Sequence, residues 1–243
     1  MPERAQGDVE VNLDRGIRVE GLIVEHPTAS GPVRALDCDE LFVAGGSSVA
    51  IVGPSGCGKS TLLGVLAGLA TPTAGTVTIG STAITTLSEA ARVAFRKEAI
   101  GVVYQADNLL AFLTVFENVR LQLALSGDSR EAERRTLDLL DRLGLGPFGE
   151  RLPDELSGGQ RQRVAVARAI VHRPALILAD EPTGALDDAN AQLVVELLAD
   201  AHRELGATLV IVTHDQTVAD GLQRVVTLRE GSIVNDREVD HAR

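Results

Sequence analysis

Lys59 and Ser60 close the run Gly53-Pro54-Ser55-Gly56-Cys57-Gly58-Lys59-Ser60, in which an ammonium and a hydroxyl stand directly behind a glycine-rich turn. Glycine allows positive φ and close backbone approach, so successive N–H groups can converge on phosphate oxygens. At this G-x-x-x-x-G-K-[ST] spacing Lys59 would reach the β- and γ-phosphates and Ser60 would ligate Mg²⁺. The apolar stretch Val49 to Val52 before the run and Thr61 to Ala67 after it predict a strand and a helix. The positive end of that helix adds to the attraction for an anion. The run therefore predicts a nucleoside triphosphate site. A turn that merely opens a helix is the plainer alternative.

Three further groups follow apolar runs and could share that chemistry. Ala175 to Ala179 is a buried-strand pattern closed by Asp180 and Glu181. Beside a phosphate loop, Asp180 can hold the metal through water and Glu181 can polarise an attacking water. Taken alone, such a pair is a solvated strand end. His214 follows the run Thr208 to Val212, and Gln105 follows Ile100 to Tyr104. In a mostly parallel sheet, ligands sit beyond the carboxyl ends of the strands, which is where Gly53, Gln105, Asp180 and His214 all fall. A second anion site is suggested by Leu156-Ser157-Gly158-Gly159-Gln160, which opens a helix running to Ile170. Ser157 and Gln160 satisfy an S-x-x-Q capping box, a complete explanation for a well-capped helix. The paired glycines cost helix stability, however, and make sense where something must approach the backbone.

The elements that would position these groups can be placed along the chain. Ile17 to Glu25 and Val33 to Val43 read as strands, with a loop from His26 to Pro32 carrying the breakers. Gly68 reads as a helix stop, Thr76 to Ile79 as a strand, and Ser88 as the cap of a helix reaching about Lys97. From Asp107 to Arg168 the pattern turns almost wholly helical. It includes a T-x-x-E capping box at Thr114 to Glu117 and a helix from Arg130 to Leu143. Val194, Leu197, Leu198, Ala201 and Leu205 recur at helical spacing, with Gly206 as the stop. Val225 to Leu228 and Ser232 to Val234 close as a hairpin. The expected organisation is a tail over 1–16 and one domain over 17–243, with helices inserted at about 107–168.

Composition narrows the partners. The 243 residues carry 34 acidic against 23 basic side chains, a net charge of −11, which is no footprint for nucleic acid. Aromatic residues make up only 2%, so the core must be built from Leu, Val, Ile and Ala. No run approaches a membrane span, and the first twenty residues lack a signal-peptide core, so export is not expected. Two cysteines, Cys38 and Cys57, make neither a disulfide framework nor a metal site, and a reduced cytoplasmic compartment fits.

In their order, the phosphate loop, Gln105, Leu156 to Gln160, Asp180 to Gly184, Ala185-Leu186-Asp187 and His214 resemble the ATP-binding cassette family over nearly the whole chain, about Ile17 to Val234. The resemblance implies an α/β fold: a P-loop NTPase core with a mostly parallel sheet, an N-terminal antiparallel β subdomain and an inserted helical subdomain. It also implies an ATPase that dimerises head to tail, each ATP lying between one protomer's phosphate loop and the other's Ser157 to Gln160. On that pattern Ser157, Gly159 and Gln160 meet the γ-phosphate across the interface, with Gly158 in the same stretch. Gln105 senses the γ-phosphate, shares the metal and links to the helical lobe. Asp187 faces the other protomer, and His214 holds the γ-phosphate and orients Glu181. Asp107-Asn108-Leu109-Leu110, Leu113 to Val119 and Gly184 resemble the lipoprotein-releasing, macrolide-export and antimicrobial-peptide-resistance ATPases. These act with separate membrane permeases, so a place on the cytoplasmic face of the cell membrane is implied, with the helical lobe contacting the permease. The chain departs from the family where an aromatic residue stacks on adenine, for the register places His26 there. Gly46-Ser47 stands in place of the usual Gly-Glu. The rival expectations are a soluble ATPase of this family acting on DNA or ribosomes, and a degenerate cassette that only binds ATP. The acidity and the absence of long insertions disfavour the former; intact Glu181 and His214 disfavour the latter.

Overall fold

The computed structural model describes residues 15–29, 31–127 and 131–239. Most of the expected tail over 1–16, and Arg130 at the start of one expected helix, lie outside them. The first half of the chain forms β1 (Ile17–Thr28), β2 (Gly31–Val43), β3 (Ser48–Val52), α1 (Lys59–Leu66), β4 (Ala74–Ile79), β5 (Thr82–Ala83), α2 (Glu89–Ala99) and β6 (Ile100–Val103). Three helices follow, α3 (Val115–Leu125), α4 (Ala132–Arg142) and α5 (Gly158–Ile170). The chain then returns through β7 (Leu176–Asp180), α6 (Asp188–Leu205), β8 (Thr208–Val212), α7 (Gln216–Asp220), β9 (Arg224–Arg229) and β10 (Ser232–Glu238).

The strands make two sheets. An antiparallel sheet runs β2-β1-β4-β5, and a six-stranded sheet runs β10-β9-β3-β8-β7-β6, parallel except for the edge hairpin β9-β10. Every residue of β3 and of β8 is buried, because helices or the second sheet cover both faces. β1 and β2 pair without the loop expected from His26 to Pro32. Pro27 sits opposite Pro32 in the ladder. β4 pairs with β1 only as far as Ile23, so beyond that point the other edge of β1 has no partner strand and Pro27 removes no ladder bond there.

The parallel register brings the working strand ends to one edge. Ile51 and Asp180 both pair with Val212, and Val103 pairs with Ala179. Past the strands, Thr213 N–H still donates to Ile51 O at 3.1 Å and Glu181 N–H to Val212 O at 2.9 Å. Gly53, Tyr104, Glu181 and Thr213 therefore emerge side by side.

The helices after β6 have a core of their own, built from Val115, Val119 and Leu123 of α3, Leu140 of α4, and Val164, Ala167 and Val171. Thr114 makes the capping box expected of it: its hydroxyl accepts from Glu117 N–H while Glu117 Oε2 accepts from Thr114 N–H at 2.9 Å. α5 belongs to two cores at once. Val164 and Ala167 face the helical cluster, whereas Val166, Ala169 and Ile170 pack with the underside of the parallel sheet. α6 buries Val194, Leu198 and Ala201 against that sheet and stops at Gly206, whose φ is +58°.

Candidate active site

The turn from β3 into α1 is shaped by the backbone packed around it. Gly58 has φ +105°, and a Cβ there would lie 2.5 Å from Ala35 O of β2, so only glycine fits. Gly231 N–H donates to Cys57 O at 3.0 Å and Cys57 N–H to Pro54 O at 3.3 Å, tying the loop to the β9-β10 turn and to itself. Lys59, buried under the loop, donates from Nζ to Gly53 O at 2.8 Å and Pro54 O at 3.0 Å. An ammonium has three donors, so one remains for a ligand. The first amides of α1, from Lys59 to Thr61, have no helical acceptor and add to the anion-binding surface. The loop sequence Gly53, Pro54, Ser55, Gly56, Cys57, Gly58 thus wraps a cationic, donor-rich hollow. Cys57 is buried, consistent with a small filler.

At the end of β7, two strands across the sheet from β3, Asp180 Oδ1 accepts from Ser60 Oγ of α1 at 3.4 Å. Burial pushes the Asp180 carboxyl above its ordinary range, offset in part by the Ser60 bond and by Lys59, while the Glu181 charge adds to the rise. A partly desolvated carboxylate beside a hydroxyl is a hard-oxygen pair suited to Mg²⁺, which takes one or two protein oxygens and completes its shell with phosphate and water. Among the described residues no cluster of three or more His, Cys, Asp or Glu could hold a metal by itself. The pair fits a metal delivered with a nucleotide.

Glu181 has φ +46°, a conformation costly for a residue with a Cβ. The strained turn swings its carboxylate onto the next strand end. There His214 N–H donates to Glu181 Oε2 at 3.3 Å, and the ring Nδ1–H donates to the same oxygen at 2.7 Å. The Glu181 side chain is only 16% exposed and that of His214 is 72% exposed. One carboxylate oxygen of Glu181 stays free to accept a proton, and Nε2 of His214 sits on the outer side of the ring. Gly184 N–H closes the following turn on Glu181 O at 3.1 Å. The Gln105 amide lies against Gly184, 3.1 Å from where a Cβ would be. Gln105 thus reaches the Glu181 turn; no hydrogen bond joins it to Ser60 or Asp180.

The Ser157 end of α5 is a different construction. Ser157 Oγ accepts from Gln160 N–H and Gln160 Oε1 accepts from Ser157 N–H at 2.8 Å, so the capping box uses the acceptor oxygens of both side chains and leaves their O–H and N–H donors. At Gly158 a Cβ would meet only ordinary contacts, Arg161 Nη2 at 3.9 Å and Leu186 Cδ2 at 4.0 Å. At Gly159 a Cβ would fall 2.1 Å from Asn190 Oδ1, so what approaches that backbone is Asn190 of the same chain. Asn190 is in turn held by Asp187, which caps α6 by accepting from Asn190 N at 2.9 Å and Nδ2 at 2.8 Å. These bonds hold the Asp187 carboxyl below its ordinary range. His26 is exposed on the β1-β2 hairpin opposite Val33, itself 53% exposed, so this ladder pair presents an open face.

The sequence model of the family described as ABC transporter matches residues 37–184. The chain belongs to the ABC transporter family. It is an ATP-binding, ATP-hydrolysing cassette of that family. The lipoprotein-releasing system ATP-binding protein LolD of Legionella pneumophila (strain Lens) is 45% identical over 202 residues, 83% of this chain and 89% of that protein. LolD of Xanthomonas axonopodis pv. citri (strain 306) is 45% identical over 218 residues, 89% of each. The macrolide export ATP-binding/permease protein MacB of Rhodospirillum rubrum is 44% identical over 206 residues, 84% of this chain but 32% of that longer protein. Among solved structures, a dimeric ATP-binding cassette in a post-hydrolysis state bound to ADP and Pi superimposes with a TM-score of 0.86 at 35% identity, covering 92% of this chain and 98% of the other. The fold and the subgroup expected from the sequence are both met. Among the described residues no helix of this cassette is long and apolar enough to cross a membrane.

Sequence reasoning missed α7, five residues capped by Asp215, too short to show a period. It also missed the polar ties that hold the segment around Gln105. Those join residues more than fifty positions apart, and no local pattern marks them.

Proposed function

We propose that this chain drives a membrane permease of the lipoprotein-releasing or macrolide-export kind by closing and reopening a head-to-tail homodimer around two Mg-ATP. The observation that carries the reading is the Glu181 carboxylate held at 2.7 Å by His214 at the strand edge that also presents Lys59, Ser60 and Asp180. Lys59 and the first amides of α1 bind the phosphates. Ser60 and Asp180 would hold Mg²⁺, with Gln105 as a further ligand, and the ion would neutralise charge on the phosphoryl oxygens. Glu181 takes a proton from the attacking water as its oxygen bonds to the γ-phosphorus and the bond to the β–γ bridging oxygen breaks, releasing ADP. His214 fixes the Glu181 carboxylate through Nδ1 and turns Nε2 to the γ-phosphate. A positioned general base contributes about 10²–10⁴-fold.

Ser157, Gly158, Gly159 and Gln160 complete the partner's site, with Asp187 alongside, and His26 stacks on adenine. The helical lobe is the transmission surface. It shows Leu110 and Phe112, the latter 76% exposed, in a loop whose shape is fixed by the buried Asn118, whose amide donates to the carbonyls of Leu110, Leu113 and Thr114. Through the permease the chain sits on the cytoplasmic face of the cell membrane, without contact to nucleic acid. Two experiments test this. Glu181→Gln should abolish steady-state hydrolysis, and a rate equal to the parent's would overturn the catalytic assignment. Purification from membranes should bring down a permease chain; ribosomal proteins in its place would overturn the transport assignment.

A further inference from the structure

The segment around Gln105 is fastened to α5 by three side chains. Gln162 Nε2 donates to Tyr104 O at 2.9 Å. Arg168 donates to Asp107 O at 2.8 Å and Asn108 O at 2.7 Å. Arg161 Nε donates to the Asp107 carboxylate at 2.9 Å. Arg161 and Arg168 stand seven residues apart, two turns of helix, so both project from one face toward the same loop.

Arg161 does one thing more. Its Nη1 donates to Leu156 O at 2.7 Å. That carbonyl belongs to the peptide unit whose N–H, on Ser157, donates to Gln160 Oε1. One peptide is thus gripped on both sides, by Arg161 at its oxygen and by the capping box at its nitrogen. Through one guanidinium, Asp107 is thus joined to the peptide that carries the Ser157 side chain.

We propose that Asp107 and Arg161 are positioning residues that couple the two nucleotide sites of the dimer. Gln105, two positions before Asp107, answers to the chain's own nucleotide, whereas Ser157 serves the partner's. The pair is therefore a direct polar route by which occupancy of one site sets the readiness of the other. The guanidinium is needed for its geometry, since Nε and Nη1, fixed in one plane, reach a carboxylate and a separate carbonyl at once, a span that the single nitrogen of an ammonium does not cover. The proposal rests on the head-to-tail dimer described above.

The test uses the full chain with Asp107→Asn, Arg161→Lys and the double variant. Asp107→Asn preserves side-chain volume and the oxygen that accepts from Leu109 N–H at 3.2 Å, so it reports on the ion pair without removing the turn. Three quantities are read: the Hill coefficient for ATP in hydrolysis, the half-saturating ATP, and the affinity of dilute monomer for a fluorescent ATP analogue. The parent should show a Hill coefficient above one. Each single variant should bring it toward one and raise half-saturation by about five-fold or more, the size of an ordinary coupling between sites. Monomer binding should stay within about two-fold, and the double variant should be no worse than the worse single, as members of one unit behave. Variants that keep the parent's Hill coefficient would overturn the proposal, as would monomer binding that weakens in step with hydrolysis. Dimerisation of Glu181→Gln on Mg-ATP is measured alongside: if it fails, the dimer reading itself falls, whereas a normal dimer with unchanged cooperativity removes only the Asp107 and Arg161 coupling.

Discussion

The strand edge that carries Glu181 and the helix ends that carry Ser157 and Asp187 treat their polar groups in opposite ways. At the edge, Asp180 is desolvated and its carboxyl is pushed up, and Glu181 is held at φ +46°. At the helix ends, Ser157 accepts within its capping box and Asp187 is pulled down by the bonds it accepts from Asn190. The first region spends folding stability to keep reactive groups ready; the second is a stable piece of secondary structure. The difference teaches which half of a nucleotide site a single chain can assemble. Lys59, Ser60, Asp180, Glu181 and His214 already meet, while the Ser157 end stands apart from them and, in the proposed dimer, would meet a nucleotide held by another copy.

The comparison can be broken most sharply at the edge. Glu181→Gln should lower hydrolysis by about 10²–10⁴-fold in a phosphate-release assay, with ATP binding retained. At the helix ends, Gly159→Ala should destabilise the fold by about 1–3 kcal/mol, the usual cost of forcing a group into filled space. Chemical denaturation measures this, and adding Asn190→Ala should recover much of the loss, because Asn190 Oδ1 is the atom in the way. If the second substitution recovers nothing, the glycine is there for another reason. Ser157→Ala should cost about 1 kcal/mol of cap and lower the melting temperature by about 2–4 °C.

The smallest effects carry the sign of the contrast. Asp180 has its folded pKa raised, so its contribution is favourable while protonated and is lost as pH rises through that value. Asp180→Asn should therefore melt higher than the parent at neutral pH, and the gap should close near pH 3.8, where the ordinary carboxyl protonates. Asp187 is lowered, so its contribution is present above the ordinary value and is lost as pH falls through the folded one. Asp187→Ala should melt lower at neutral pH and converge with the parent in acid. Two melting curves bending the same way would erase the distinction between the regions.

Much of the edge was legible because strand ends announce themselves. An all-apolar run such as Leu176 to Ala179 has to be buried, and polar residues directly after it, Asp180 and Glu181, have to sit at its mouth. Capping boxes at Thr114 and Ser157 were legible for the same local reason: their partners lie three residues away. What stayed hidden was non-local. The glycine pair at 158 and 159 suggested an approaching ligand, yet Asn190, thirty-one positions beyond Gly159, fills one of the two places. The hairpin through Pro27 depended on where β4 ends, and the hold of α5 on the Gln105 segment depends on residues 54 to 61 positions apart. No periodicity encodes these distances.

The central claim is that one chain supplies half of each of two sites. Light scattering of Glu181→Gln with saturating Mg-ATP tests it most directly. The account predicts a dimer with ATP that reverts to monomer without it, and that adding Ser157→Arg, which places a bulky cation at the seam, prevents. A Glu181→Gln chain that stays monomeric with saturating Mg-ATP, alone and beside its permease, would contradict it.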